Sequence, residues 1–117
     1  MSCLFNSLSY FFVIDSYTIR QKICDYLEQN NQIIDGLDTQ FILNMENSNY
    51  INNMRNPYTW GGAIEIQAAC NIWNVKIVVF NRRDRNNSII EFLPINSNFK
   101  GVINLEWTGG HYEPIRL

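Results

Sequence analysis

Two residues near opposite ends of the sequence, Cys3 and His111, could form a thiol nucleophile and its base. A cysteine attacks a carbonyl carbon as the thiolate, which is stabilised at a helix N-terminus and beside an imidazolium. Cys3 opens a segment in which Leu4, Leu8 and Phe11 recur at helical spacing, so it falls in the first turn of a predicted helix. His111 is the only histidine and follows two glycines, which allow close backbone approach. The pair is therefore a candidate nucleophile and base, although on its own it is a weak signal.

Each of these residues also has a purely structural interpretation. Cys3 could be a small core residue on an apolar helix face, and His111 a loop histidine satisfied by backbone groups. Cys24 and Cys70 lie within apolar helical patterns, so we predict core thiols. Three widely spaced cysteines match neither a disulfide framework nor a zinc motif, so we expect no metal or cofactor and a reducing, cytoplasmic compartment.

The composition limits the class of protein and of partner. The 117 residues, 46% of them hydrophobic and 17% charged, are typical of one globular domain, which we place at residues 1–117. A net charge of −2 provides no basic surface for nucleic acid. Arg82, Arg83 and Arg85 are interrupted by Asp84, so residues 82–87 are predicted to be a solvated loop. The apolar stretch at residues 8–14 is too short for a bilayer, so we expect no membrane partner.

The elements that must position these residues fall into two halves. Helices are predicted at residues 3–12, from Asp15 or Ser16 to the asparagines at 30 and 31, from Asp38 or Thr39, and at 63–73, with a polar connection through residue 57. Strands are predicted at 75–80, 89–93, 102–107 and within 111–117, as a meander. The fold class is therefore α+β, with N-terminal helices packed on a C-terminal, mostly antiparallel sheet.

Two further residue types in these elements have a predicted structural role. Glu65 lies in the first turn of the helix at 63–73, where the helix dipole favours an acid, so we favour a capping role over direct substrate contact. Trp73 and Trp107 are predicted to be core anchors.

Four short strings resemble the ovarian tumour (OTU) family of deubiquitinating cysteine proteases. Residues 2–8, S-C-L-F-N-S-L, resemble the family's nucleophile helix, D-G-x-C-L-F-R-S/A. Residues 60–68, W-G-G-A-I-E-I-Q-A, resemble its W-G-G-x-x-E-L-x-A segment. Residues 75–80 and 110–113, V-K-I-V-V-F and G-H-Y-E, resemble its v-x-I-x-V strand and its H-Y-N/D histidine loop.

This resemblance implies a papain-like cysteine protease core and a thiol-dependent deubiquitinase. Cys3 would attack the carbonyl of an isopeptide bond to ubiquitin or a similar modifier, and His111 would activate the thiol and protonate the leaving amine. Tyr112 and the loop of Trp60, Gly61 and Gly62 would line the channel for the modifier's glycine-ended tail. The implied partner is ubiquitin or its conjugates, bound by a monomer.

The sequence also departs from the family pattern around the nucleophile. The family often places an aspartate three residues before the cysteine, a position that would precede Met1, so we expect a chain that is short at its N-terminus. Glu113 occupies the second family position for orienting the histidine. The oxyanion-hole amides before the cysteine would come from Met1 and Ser2. The alternative function is therefore a catalytically impaired fragment that binds ubiquitin or another partner as an interaction module.

Overall fold

The computed structural model describes residues 3–86, 88–96 and 98–116. Five helices precede four strands, as the α+β prediction requires. The helices are α1 (Cys3–Phe12), α2 (Ser16–Glu28), α3 (Thr39–Glu46), α4 (Tyr50–Arg55) and α5 (Ala63–Trp73), and the strands are β1 (Lys76–Asn81), β2 (Ile89–Phe92), β3 (Val102–Trp107) and β4 (Tyr112–Pro114). No helix among these residues is long and apolar enough to cross a membrane.

Local capping explains why α2 and α3 begin where the sequence predicts. The Asp15 carboxylate accepts a hydrogen bond of 3.0 Å from the Thr18 amide, and Asp38 accepts one of 3.3 Å from the Phe41 amide. Each bond satisfies an amide that has no acceptor within the first turn of its helix. These short-range contacts favour both helix starts, and at α3 Asn30 adds a further cap by accepting from the Gln40 amide at 3.1 Å.

Helix α4 lies inside the segment that was predicted to be a polar connection, so that prediction was wrong. The segment is rich in asparagine, which has low intrinsic helix propensity. Its apolar residues nevertheless pack on the core, with Met54 buried and Tyr50 and Ile51 partly buried. Tertiary packing against α2 therefore stabilises a helix that the local sequence does not favour.

The sheet has the order β2-β1-β3-β4. β1 pairs antiparallel with β2 and β3 pairs antiparallel with β4, which confirms a mostly antiparallel sheet. The meander is wrong, because β3 pairs in parallel with β1 rather than with β2. The connection after β2 crosses to the other side of β1, where the Lys76 amide donates to the Gly101 carbonyl and the Lys100 amide donates to the Asn74 carbonyl just before β1. This crossover places the β3–β4 hairpin next to α1, on the side of the sheet away from β2.

One cluster of buried side chains joins the helices to the two central strands. Fully buried members come from α1, α2, α5, β1 and β3, and include Phe5, Leu8, Ile23, Ile66, Ile77 and Leu105. Trp73 stacks on Phe12 with ring centroids 4.5 Å apart, and Trp107 packs partly buried against the same cluster. The two tryptophans predicted as core anchors thus pack against the core while remaining partly exposed.

Candidate active site

Cys3 is the first residue of α1 and is half-buried. The two residues after it, Leu4 and Phe5, are buried in the core and fix this end of the helix. The amides of a first helical turn have no acceptor within the helix, so the thiol lies at a positively polarised end. A cleft of about 630 Å³ opens beside Cys3, and His111 lines the same cleft. The structure therefore brings the two predicted residues together.

A tight loop between β3 and β4 presents His111 to the cleft. The Thr108 amide donates a hydrogen bond of 3.0 Å to the His111 carbonyl, which closes the turn. Gly109 and Gly110 have φ angles of 94° and 103°, in a region that glycine occupies without strain. We call residues 108–111 the histidine loop. The two glycines noted in the sequence are therefore needed for its backbone path.

Glu113 holds the histidine ring in one orientation. His111 Nε2 lies 3.0 Å from Glu113 Oε1, and the two side chains are 55% and 58% exposed. An ionised carboxylate only accepts hydrogen bonds, so Nε2 must carry the proton that it donates. In the neutral ring this leaves the lone pair on Nδ1, which can act as the base. The predicted orienting residue is thus in contact with the histidine.

A second carboxylate lies opposite Glu113 in the β3–β4 ladder. Glu106 and Glu113 are register partners, and like charges placed opposite each other repel. Arg82 Nε donates to Glu106 Oε2 at 3.0 Å, so each carboxylate has its own cationic or hydrogen-bonding partner. Residues 82–86 of the predicted solvated loop are mostly exposed, as predicted. Asn87, the last residue of that loop, lies outside the described residues.

Ser7 links the nucleophile helix to the histidine strand, and the sequence analysis missed it. Its hydroxyl is buried and lies 2.8 Å from the Cys3 carbonyl and 3.1 Å from the Tyr112 carbonyl. The single hydroxyl proton is donated to one or shared between the two oxygens. A serine on the same helix face as Leu4 and Leu8 was the available signal, because a buried hydroxyl needs a partner.

Trp60 forms the rim of the cleft opposite the histidine loop. A Cβ on Gly110 would lie 3.1 Å from the indole, so the two approach closely. A Cβ on Gly61 would lie 2.8 Å from Leu4 Cδ2, so only glycine lets this segment rest on α1. Trp60 and Tyr112 line the cleft, whereas Gly61 and Gly62 line a neighbouring cavity of about 450 Å³ that Trp60 also borders. The four predicted channel residues are thus divided between two adjoining cavities.

Glu65 caps α5, which confirms the role favoured from the sequence. Its Oε1 accepts a hydrogen bond of 2.8 Å from the Gly62 amide, and its Oε2 accepts one of 2.5 Å from the Tyr50 hydroxyl. The side chain is buried, and this burial raises the pKa of the carboxyl above its usual value. The carboxylate therefore bonds the segment before α5 to helix α4.

The remaining cysteines are core thiols, as predicted. Burial raises the pKa of Cys24 to about 11 and that of Cys70 to about 12. Both are free, as is Cys3. Among the described residues, no three His, Cys, Asp or Glu side chains are grouped so that they could hold a metal ion. Met1 and Ser2, whose amides were predicted to contribute to the oxyanion hole, lie outside those residues.

Comparisons with known proteins identify the family of this chain. The family model described as OTU-like cysteine protease matches residues 2–112. "OVARIAN TUMOR DOMAIN-containing deubiquitinating enzyme 10" of Arabidopsis thaliana is 38% identical over 74 residues, covering 62% of this chain and 20% of its own length. "Ubiquitin thioesterase otu2" of Schizosaccharomyces pombe is 27% identical over 132 residues, covering 97% of this chain and 42% of its own length. The chain thus spans less than half the length of these relatives.

Two solved structures share the fold. An OTU domain in complex with ubiquitin superimposes with a TM-score of 0.76 at 26% identity, covering 97% of this chain and 62% of that one. The viral OTU domain protease from Dera Ghazi Khan virus superimposes with a TM-score of 0.70 at 24% identity, covering 97% of this chain and 72% of that one. The predicted papain-like core is confirmed by these neighbours. Because the family model matches nearly the whole chain, the protein belongs to the OTU-like cysteine protease family.

Proposed function

We propose that this protein is a deubiquitinase, a cysteine hydrolase that cleaves isopeptide bonds to the C-terminus of ubiquitin or a ubiquitin-like modifier. The observation that carries the proposal is the meeting of Cys3, His111 and Glu113 in one cleft at the N-terminus of α1. The names of the relatives support the choice of substrate, since they are a deubiquitinating enzyme and a ubiquitin thioesterase. The solved OTU domain that binds ubiquitin adds to this support.

The arrangement can carry out acyl transfer in two halves. His111 Nδ1 takes the Cys3 proton, and the thiolate attacks the carbonyl carbon of the scissile bond to give a tetrahedral intermediate. The imidazolium then protonates the departing lysine amine, the carbon–nitrogen bond breaks, and a thioester on Cys3 remains. In the second half His111 takes a proton from water, which attacks the thioester. The modifier leaves with a free carboxylate and the thiol is restored.

Two groups stabilise charge during these steps. The Cys3 amide, at the start of α1, has no acceptor within the helix and can donate to the oxyanion. Glu113 accepts from Nε2 and stabilises the imidazolium that forms on His111. An interaction module without catalysis is less favoured, because nothing in such a module requires a thiol, an imidazole and a carboxylate in one cleft.

The test is a covalent trap made from ubiquitin with a thiol-reactive electrophile at its C-terminus. Purified wild type, Cys3→Ala, His111→Ala and Cys24→Ala are incubated with this probe, and the products are measured by intact mass. We expect one adduct on wild type and Cys24→Ala, none on Cys3→Ala, and a rate lowered by about 100-fold or more on His111→Ala. No adduct on the folded wild type, or an adduct that persists in Cys3→Ala, would contradict the proposal.

A further inference from the structure

The segment that leads into the cleft rim is held at its start by a buried arginine. Arg20 of α2 is only 1% exposed. Its Nη1 donates to the Met54 carbonyl at 2.7 Å, and its Nη2 donates to the Pro57 carbonyl at 3.2 Å. Its guanidinium also lies 4.1 Å from the ring centroid of Phe5, two residues after the nucleophile. Arg20 therefore contacts both the nucleophile helix and the backbone that precedes Trp60.

The same segment is held at its end by a buried carboxylate. Glu65 is 1% exposed, accepts from the Gly62 amide and accepts from the Tyr50 hydroxyl. Tyr50 belongs to α4, so this chain of bonds runs from α4 through Glu65 to the backbone beside Gly61. Residues 54–62 are thus bonded at both ends by side chains from other parts of the fold.

Arg20 and Glu65 carry opposite charges in the core, and net stability does not explain why such charges are buried there. Burial lowers the pKa of Arg20 and raises that of Glu65, and the charge on each partly offsets the shift of the other. Buried ion pairs contribute little net stability, and apolar residues of similar volume often replace them without loss. Apolar side chains in place of Arg20 and Glu65 could not make hydrogen bonds to residues 54–62. Arg20 and Glu65 together bond three backbone groups of this segment.

The segment between these bonds carries the side of the cleft that faces the histidine. Trp60 follows Pro57 by three residues and precedes Gly62 by two, so its backbone is fixed on both sides. Its indole is the group that a Cβ on Gly110 would approach at 3.1 Å. A shift of this backbone would therefore change how Trp60 packs against the histidine loop and so change the shape of the cleft.

We propose that Arg20 and Glu65, with Tyr50, are positioning residues that hold Trp60 against Gly110 and so set the width of the substrate channel in the cleft that both residues line. The proposal rests on the proposed function, because the channel is the one that would take the modifier's tail. These residues touch neither the thiol nor the imidazole. They act on the reaction through the placement of Trp60.

The test compares hydrolysis, which needs the channel, with alkylation of Cys3, which does not. Glu65→Ala, Glu65→Gln and Tyr50→Phe are assayed with ubiquitin carrying a C-terminal fluorogenic amide and, separately, with iodoacetamide. Tyr26→Phe is the matched control, because the Tyr26 hydroxyl donates to the Gln32 carbonyl and neither residue lines the cleft or its neighbouring cavity. Melting temperatures of all variants accompany both assays.

We expect Glu65→Ala and Tyr50→Phe to lower kcat/KM by about tenfold, mainly through KM, because small displacements at a binding channel are costly. The rate of Cys3 alkylation stays within about twofold of wild type. Glu65→Gln retains an oxygen that can accept from Gly62, so it restores most of kcat/KM. Tyr26→Phe keeps wild-type kinetics.

The outcomes separate the two proposals. A wild type that alkylates at Cys3 but hydrolyses no ubiquitin substrate overturns the proposed function and this inference with it. An active wild type whose folded Tyr50→Phe and Glu65→Ala variants keep kcat/KM within about twofold overturns the inference alone. Parallel losses in hydrolysis and alkylation, together with a lower melting temperature, also overturn it, since they indicate a general structural role.

Discussion

The two walls of the cleft are built in different ways. On one wall Cys3 begins a helix anchored by fully buried residues, and Trp60 follows backbone that Arg20 holds from the core. On the other wall His111 and Glu113 are more than half exposed and belong to a loop and a three-residue edge strand. The proposed nucleophile is therefore positioned by the core, whereas the proposed base depends on a few local contacts. Substitutions near His111 that barely change the free energy of unfolding should still lower activity, because they disturb the position of His111.

The largest expected difference is among the three thiols. Cys24 and Cys70 are buried with pKa values of about 11 and 12, so they remain protonated at pH 8, with roughly one thiolate per thousand molecules or fewer. We expect iodoacetamide to label Cys3 at least about 100-fold faster than either, as measured by peptide mass spectrometry. Labelling of all three cysteines at similar rates in the folded protein would show that Cys3 is no more reactive than Cys24 and Cys70.

The next largest effect is expected at Glu113. Glu113→Ala removes the acceptor that fixes the His111 ring, so kcat should fall by about 10- to 100-fold. The unfolding free energy should change little, because exposed ion pairs contribute weakly. Glu91→Ala is the matched control, since Glu91 is an exposed sheet glutamate whose partner is Lys76. Equal activity of the Glu113→Ala and Glu91→Ala variants would show that Glu113 is not required to orient His111.

A smaller effect is expected from the backbone of the histidine loop. Gly109→Ala puts a side chain at φ 94° and brings its Cβ into a steric clash with the Arg83 side chain, so the loop should shift and kcat/KM should fall by about tenfold. Gly36→Ala carries a similar φ of 84° but meets no atom within 4 Å. Both variants should lose about 1 kcal/mol of stability. Only Gly109→Ala should lose activity, and equal kinetics would contradict this account.

The smallest effect is expected at the link between the two walls. Ser7→Ala removes the hydroxyl shared by the Cys3 and Tyr112 carbonyls and should destabilise the fold by about 1 kcal/mol. We expect kcat to fall severalfold, because α1 and β4 remain packed by apolar contacts. Ser9→Ala is the control for losing a serine hydroxyl of α1. The Ser9 hydroxyl donates to the Ile14 carbonyl just after α1 rather than to β4. A Ser7→Ala variant with unchanged kcat would separate the hydroxyl from catalysis.

The sequence predicts the nucleophile wall better than the histidine wall, because helices are encoded locally. The bounds of α1 and α5 follow from apolar spacing, and the caps at Asp15 and Asp38 follow from side chains within three residues. The parallel pairing of β1 with β3 does not follow, since strand patterns alone do not choose a partner. The strand order depends on the crossover after β2, which no strand pattern indicates.

Arg20 shows a second limit and a signal that was available. It lies four residues before Cys24 and seven before Leu27, which places it on the buried face of α2. An arginine at such a position requires acceptors, but no local pattern indicates that these are the carbonyls of Met54 and Pro57, more than 30 residues away. Helix α4 was missed for the same reason, because its support comes from tertiary packing.

The hydrogen bond from Ser7 to Tyr112 joins residues 105 positions apart. Contacts between residues so distant in the sequence carry the largest loop-closure entropy and tend to form late in folding. Helices such as α2 and α3, which begin at local caps, can form from local contacts, but the thiol meets the imidazole only after the β3–β4 hairpin docks on α1. A refolding chain should therefore recover helical circular dichroism before it recovers the proposed hydrolysis.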